Sequence, residues 1–177
     1  MECKELLAVT AELNENSRRV SGEQVAKLAD MIASAHRVFI AGAGRSGFAA
    51  RGFANRLMHL GKETYFVGET TTPSIRKGDL LVIGSGSGTT DGLVSAAKKA
   101  KQAGAMLATL TMFPEQTIGQ MCDAVIKIPG VTPKRGRGDS DTAVSIQPMG
   151  TLFEQLCWLV YDSLVLLLMK ELGQTAE

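Results

Sequence analysis

Between a short apolar run, Asp79-Leu80-Leu81-Val82-Ile83, and a helical pattern beginning at Thr89 lies the stretch Gly84-Ser85-Gly86-Ser87-Gly88-Thr89-Thr90-Asp91. A strand that passes through a Gly/Ser/Thr loop into a helix builds an anion site. The glycines let the backbone turn tightly, several N–H groups point into one concavity, and the helix N-terminus adds partial positive charge. Ser85, Ser87 and Thr89 supply hydroxyl donors around it. The loop lacks the Gly-Lys-Ser/Thr ending of a nucleotide P-loop, so the expected ligand is one phosphate monoester, such as a sugar phosphate. A tight strand-to-helix turn without a ligand is the plainer alternative, but three alternating glycines exceed what a turn needs.

A second loop, Gly42-Ala43-Gly44-Arg45-Ser46-Gly47, also follows an apolar run and opens a helix. Its spacing is formally that of a dinucleotide fingerprint, which also wants an acidic residue closing the second strand. Glu69 is the candidate, and it sits in a loop after a glycine. That reading leaves the Ser/Thr loop without a role, and Arg45 and Ser46 suit a phosphate or a sugar hydroxyl better.

Glu154 lies in Gly150-Thr151-Leu152-Phe153-Glu154-Gln155, at the start of the last helical pattern. Thr151 to Glu154 has capping-box spacing, which would make the carboxylate a helix-start stabiliser worth about 0.5–1 kcal/mol. With Phe153, Leu156 and Cys157 around it, the same carboxylate is equally a candidate base of raised pKa. His59 closes the first crossover helix, where an imidazole suits the negative end of the dipole. That end lies away from the carboxyl edge of the sheet, so His59 could reach a site only across a subunit interface. His36 precedes the first strand and receives no function.

The elements that must position these residues follow from hydrophobic periodicity. Helices are expected over about Lys4–Asn16 and from Ser21, with Gln24 completing a weak capping box and Val25, Leu28 and Ile32 as its apolar face. The first of these should pack on another subunit. Strands are expected at Arg37–Ala41, Thr64–Val67, Asp79–Ile83, Met106–Leu110 and Ala124–Ile128, and crossover helices follow to about Leu60 and Ala103. A short helix at Gln116–Cys122, an irregular Pro129–Pro148 segment and a helix over Thr151–Leu172 complete the pattern. Strands alternating with helices predict an α/β fold, a five-stranded parallel sheet with helices on both faces. In the order 2-1-3-4-5 both Gly-rich loops fall at the switch point, where ligands bind. The stretch 131–141, with Lys134, Arg135 and Arg137, reads as solvated chain rather than a lid.

The chain has 177 residues, 45% hydrophobic and 21% charged, with a formal net charge of +1. One domain over 1–177 is expected, and the near-neutral charge gives no reason to expect nucleic acid or a membrane surface as partner. Cys3, Cys122 and Cys157 match no metal-site spacing, and Cys157 reads as core packing. Leu152–Met169 is apolar but interrupted by Glu154, Gln155 and Asp162, so a buried helix is expected rather than a membrane span. With no signal-peptide pattern at the N-terminus, a cytoplasmic setting is expected.

The segments Gly44-Arg45-Ser46-Gly47, Arg56-Leu57-Met58-His59-Leu60-Gly61, Val67-Gly68-Glu69-Thr70-Thr71-Thr72-Pro73, Ser85-Gly86-Ser87-Gly88 and Gln147-Pro148-Met149-Gly150-Thr151-Leu152-Phe153-Glu154 together resemble the sugar isomerase (SIS) domain family, and within it the 6-phospho-3-hexuloisomerases. The resemblance covers nearly the whole chain. It implies interconversion of 3-hexulose 6-phosphate and fructose 6-phosphate in the ribulose monophosphate pathway, no cofactor, and a homotetramer with sites at subunit interfaces. It also implies Glu154 as base and His59 from a neighbouring subunit. Gly44, Arg45, Ser46, Ser85, Gly86, Ser87, Thr89 and Thr90 are the expected substrate- and phosphate-binding residues. Many members carry an Arg-His-x-Asn tail segment absent from this sequence, which leaves His59 as the expected imidazole. Another SIS-domain aldose–ketose isomerase is the alternative, and a non-catalytic sugar-phosphate sensor a third.

Overall fold

A computed structural model describes residues 1–131 and 145–175. The expected lid-or-loop stretch 131–141 therefore lies, apart from Val131, outside the described residues.

Five strands form one parallel sheet in the order β2-β1-β3-β4-β5, with β1 at Val38–Gly42, β2 at Thr64–Phe66, β3 at Leu80–Gly84, β4 at Met106–Thr111 and β5 at Ala124–Lys127. Alternation along the strands divides their side chains between two cores. Val38, Ile40, Leu80, Val82, Ala108 and Leu110 face one core, and Phe39, Ala41, Leu81, Ile83 and Leu107 face the other. Buried on both faces, the strands carry near-continuous apolar runs, as a parallel sheet requires. Thr109 and Thr111 are the exceptions in β4, and their hydroxyls donate to the Ile83 carbonyl at 2.8 Å and the Gly86 carbonyl at 3.3 Å.

Helices α2 (Gly22–Ser34), α3 (Gly44–His59) and α6 (Thr151–Leu172) cover the first face, and α4 (Asp91–Gln102) and α5 (Thr117–Met121) the second. The N-terminal helix α1 (Lys4–Ser17) packs on α6 and leaves Leu6 and Leu7 exposed. The α2 start forms half of its capping box: Gln24 N–H donates to Ser21 Oγ at 3.3 Å. The Gln24 side chain instead accepts the Lys127 N–H of β5 at 3.0 Å. The α4 helix begins at Asp91 with Thr90 as its N-cap, two residues later than periodicity suggests.

Among the described residues, α6 alone is long and apolar enough to span a membrane by length and composition. Its inner face, from Leu152 through Tyr161 to Leu168, is nevertheless core of this domain. The expectation of a buried helix needs one correction. Trp158, Leu159, Leu166 and Leu167 are exposed, so only one face is covered in the single chain.

At the edge of the sheet opposite the Gly-rich loops, Asp79 is 2% exposed and accepts two bonds from Arg37, Nε at 3.0 Å and Nη2 at 2.6 Å, and the Arg76 N–H at 2.8 Å. Burial pushes this carboxyl up, but the bonds from Arg37 and Arg76 outweigh it and hold it below its ordinary value. A depressed folded-state pKa contributes stability above the unfolded pKa, and that stability is lost as pH falls through the folded value. Replacing Asp79 by Asn leaves the partly exposed Arg37 without its counter-charge, so Asp79→Asn is expected to cost about 1–3 kcal/mol. Urea unfolding across pH should show a shallower acid decline for the variant than for wild type; identical slopes would refute this role.

Candidate active site

The site begins where strand and helix backbones touch. A Cβ at Gly42 would sit 2.9 Å from Gly47 Cα, and one at Gly47 would sit 2.9 Å from the Gly42 carbonyl oxygen. These glycines seat the first turn of α3 directly on β1, and Gly44 takes φ +57 between them. Gly42 is the register partner of Gly84, so the two loops leave neighbouring strands side by side. The Ser46 carbonyl lies 3.8 Å from where a Gly84 Cβ would be. The convergence expected of the two loops is present.

In the β3 loop, Ser85 is buried and its Oγ accepts the Gly88 N–H at 3.2 Å. Its hydroxyl therefore shapes the loop first, with the proton left for another acceptor. Ser87 Oγ accepts the Thr89 N–H at 3.4 Å. Gly88 adopts φ +66, and the Gly86 carbonyl accepts the Met112 N–H at 3.2 Å, which ties the loop to the end of β4. Among the described residues, the Ser87 and Thr90 N–H groups have no backbone or side-chain acceptor. Together with the first turn of α4, they form a set of donors suited to an anion.

Glu154 arrives from the far end of the chain. The capping box does not form: Gly150, at φ 90, is the N-cap of α6 and no side chain caps the helix. The carboxylate turns instead to Arg45, with Oε2 2.5 Å from Nε. Its side chain is 17% exposed against 67% for Arg45, so a shielded carboxylate is held by an open guanidinium. Phe153, the preceding residue, lies under the β3 loop; a Cβ at Gly86 would be 3.3 Å from its ring. The two Gly-rich loops and Glu154 thus meet at the carboxyl edge of the sheet.

Beside Glu154 a groove of about 380 Å³ runs between α3 and α6. Leu13 of α1, Phe48 and Trp158 line it, and so does Gln155, next to Glu154. The β3 loop lies outside this groove. Residue-type reasoning singled out none of these groove residues. Helical spacing would have found two, since Phe48 is three residues beyond Arg45 and Trp158 four beyond Glu154. Among the described residues, Gln155 Oε1 and the Tyr161 hydroxyl are buried without a partner. Tyr161 stacks on Phe53 with centroids 4.5 Å apart, and its hydroxyl abuts Gly84, 2.8 Å from where a Cβ would lie.

Burial, and next the nearby Glu154 charge, push the Cys157 thiol well above its ordinary value. Burial likewise holds the Tyr161 hydroxyl protonated. Neither group offers a nucleophile, and Cys157 is core packing, as its sequence context suggests.

His59 is exposed in the last turn of α3. Fourteen residues of helix separate it from Arg45, roughly 21 Å at 1.5 Å per residue. Within one chain the structure does not bring His59 to Glu154. Glu69 pairs with Arg51 at 2.5 Å, and that guanidinium lies 3.8 Å from the Phe66 ring centroid. The acidic residue a dinucleotide site would need is thus engaged on the outer side of α3.

Comparisons with known proteins bear on the chain as a whole. A family profile described as the SIS domain matches residues 31–157. A Bacillus subtilis protein named 3-hexulose-6-phosphate isomerase is 46% identical over 166 residues, covering 94% of this chain and 88% of the relative. A Mycobacterium gastri protein of the same name is 44% identical over 158 residues, covering 89% and 77%. The solved structure of a Methanococcus jannaschii protein, for which a 3-hexulose-6-phosphate isomerase function was inferred, superposes with a TM-score of 0.80 at 34% identity, covering 98% of this chain and 93% of that one.

A methyl group at Gly47 meets backbone that cannot swing away. Gly47→Ala is expected to lift the start of α3 off β1, cost about 1–3 kcal/mol, and weaken binding of inorganic phosphate at the paired loops. Thermal melting with and without phosphate checks both; a variant with wild-type melting and an unchanged phosphate shift would show that the close approach is dispensable.

Proposed function

The chain belongs to the SIS domain family, and from that premise we propose that it interconverts 3-hexulose 6-phosphate and fructose 6-phosphate, with Glu154 as the base. One observation carries the reading of the site: a mostly shielded carboxylate, fixed by Arg45, stands where two phosphate-suited loops converge.

Moving the carbonyl from C3 to C2 requires removal of the C2 proton, a 2,3-enediol, and return of a proton to C3. One carboxylate serving adjacent carbons can do both. Glu154 carries the proton, and Arg45 offsets the negative charge that develops on the enediolate oxygen. At the far end of the substrate, Ser46 and the loop formed by Ser85, Gly86, Ser87, Thr89 and Thr90 hold the phosphate and fix the reacting carbons against Glu154. Gly44, at φ +57, lets the chain turn from β1 into α3 so that the helix start takes part. With its C6 oxygen phosphorylated, the 3-ketose cannot close a five- or six-membered ring and arrives open-chain. Only the fructose side needs ring opening, and an imidazole suits that proton transfer.

On this reading His59 reaches Glu154 from a neighbouring subunit, since α3 carries it away from its own site. Exposed Leu6 and Leu7 on α1, with Leu159, Leu166 and Leu167 on α6, supply apolar surface for such an assembly. We place the enzyme in the cytoplasm as a homotetramer with sites at subunit interfaces.

Glu154→Gln keeps the shape and removes the base. It is expected to lower kcat by about 10³-fold or more while still binding fructose 6-phosphate, measured by coupled detection of product and by calorimetry. Activity close to wild type would move the base elsewhere. Mixing inactive Glu154→Gln and His59→Ala subunits under exchange conditions should restore up to about a quarter of wild-type activity, because some mixed interfaces hold one intact site. No recovery after verified exchange would place His59 outside a shared site.

A further inference from the structure

The N-terminal helix α1 lies outside residues 31–157 matched by the family profile, yet it reaches the chain segment that delivers Glu154. Glu12 Oε1 accepts the Ile146 N–H at 3.1 Å, and its Oε2 accepts from Gln147 Nε2 at 2.7 Å, contacts spanning 134 and 135 residues of sequence. Burial pushes the Glu12 carboxyl up, but bonds from Gln147, Ser145 and Ile146 outweigh it and keep it below its ordinary value. One turn later the buried Asn16 donates to the Glu12 carbonyl at 3.0 Å, so this part of α1 is itself fixed.

From that clamp a short relay leads to the base. Gln147 N–H donates to Ser145 Oγ at 3.1 Å, Thr151 N–H to the Pro148 carbonyl at 3.1 Å, and Gly150 N–H to the Val131 carbonyl at 3.0 Å. Glu154 N–H donates to the Gly150 carbonyl at 3.0 Å. Because α6 begins at a left-handed glycine without a side-chain cap, its first turn depends on where this segment is held.

We propose that Glu12 is a positioning residue for Glu154, acting through the two bonds it accepts from Ile146 and Gln147. The inference rests on the isomerase reading for its kinetic test. The clamp touches neither Gly-rich loop, so it sets the placement of the reacting carboxylate and leaves the phosphate anchor alone.

The test compares wild type, Glu12→Ala and Glu12→Gln as full chains, with 3-hexulose 6-phosphate as substrate and amide exchange followed at Ile146 and Glu154. Glu12→Ala is expected to lower kcat about tenfold with KM within about twofold, as small misplacements of a reacting group do. Both amides should exchange faster. Glu12→Gln, which keeps one acceptor oxygen, should recover part of kcat, and it carries the comparison if the alanine variant does not fold. A folded variant with wild-type kcat and unchanged exchange at Glu154 overturns the inference, and so does a rise in KM alone. If wild type does not turn over this substrate, the isomerase reading fails by itself, and exchange at Glu154 in the variants still decides the role of Glu12.

Discussion

Strand β1 and helix α3 are in backbone contact at Gly42 and Gly47, with no room for a methyl group between them. Much of the site hangs from that contact. It seats the first turn of α3 against the sheet, which brings Ser46 to the β3 loop and points Arg45 toward α6. The far side of α3 then accepts α6 just as closely, since a Cβ at Gly52 would lie 2.8 Å from the Trp158 ring. Sheet, α3 and α6 are thereby locked together, with α3 and α6 side by side on the first face. The base is placed by packing, and the anion loops by the turn geometry of two adjacent strands.

Most of this framework was legible in the sequence because it is written locally. Continuous apolar runs such as Val38–Gly42 and Leu80–Gly84, alternating with helical patterns, point to strands buried on both faces of a parallel sheet. The Ser21 cap and the glycines of both loops read correctly for the same reason: each acts within a few residues of itself. Glu154 was harder. Its spacing from Thr151 imitates a capping box, but Gly150 takes the cap in a left-handed conformation, and the carboxylate is released to a partner 109 residues away. No local pattern encodes such a pair. The groove residues Phe48, Trp158 and Gln155 share that difficulty, since a groove exists only once two helices are side by side.

On the first face, α6 is buried on one side only. The inner face of α6 fills the core from Leu152 to Leu168, while its outer face keeps leucines in solvent. Sequence composition reads this helix simply as buried, because its leucines look alike whether they face the core or solvent. The same ambiguity surrounds α1, which contributes little to the core yet carries the carboxylate that fastens residues 146 and 147.

The two outermost strands of the sheet have a separate consequence. β2 has three residues and β5 four, and the β5 rim at Lys127 gives its N–H to the Gln24 side chain. A long bare rim would invite another chain to add a strand, the route to runaway fibrous growth. Rims this short, one of them stoppered by a glutamine, are poor templates for strand addition. The rims thus offer little to another chain, and the exposed apolar surface lies on helices instead.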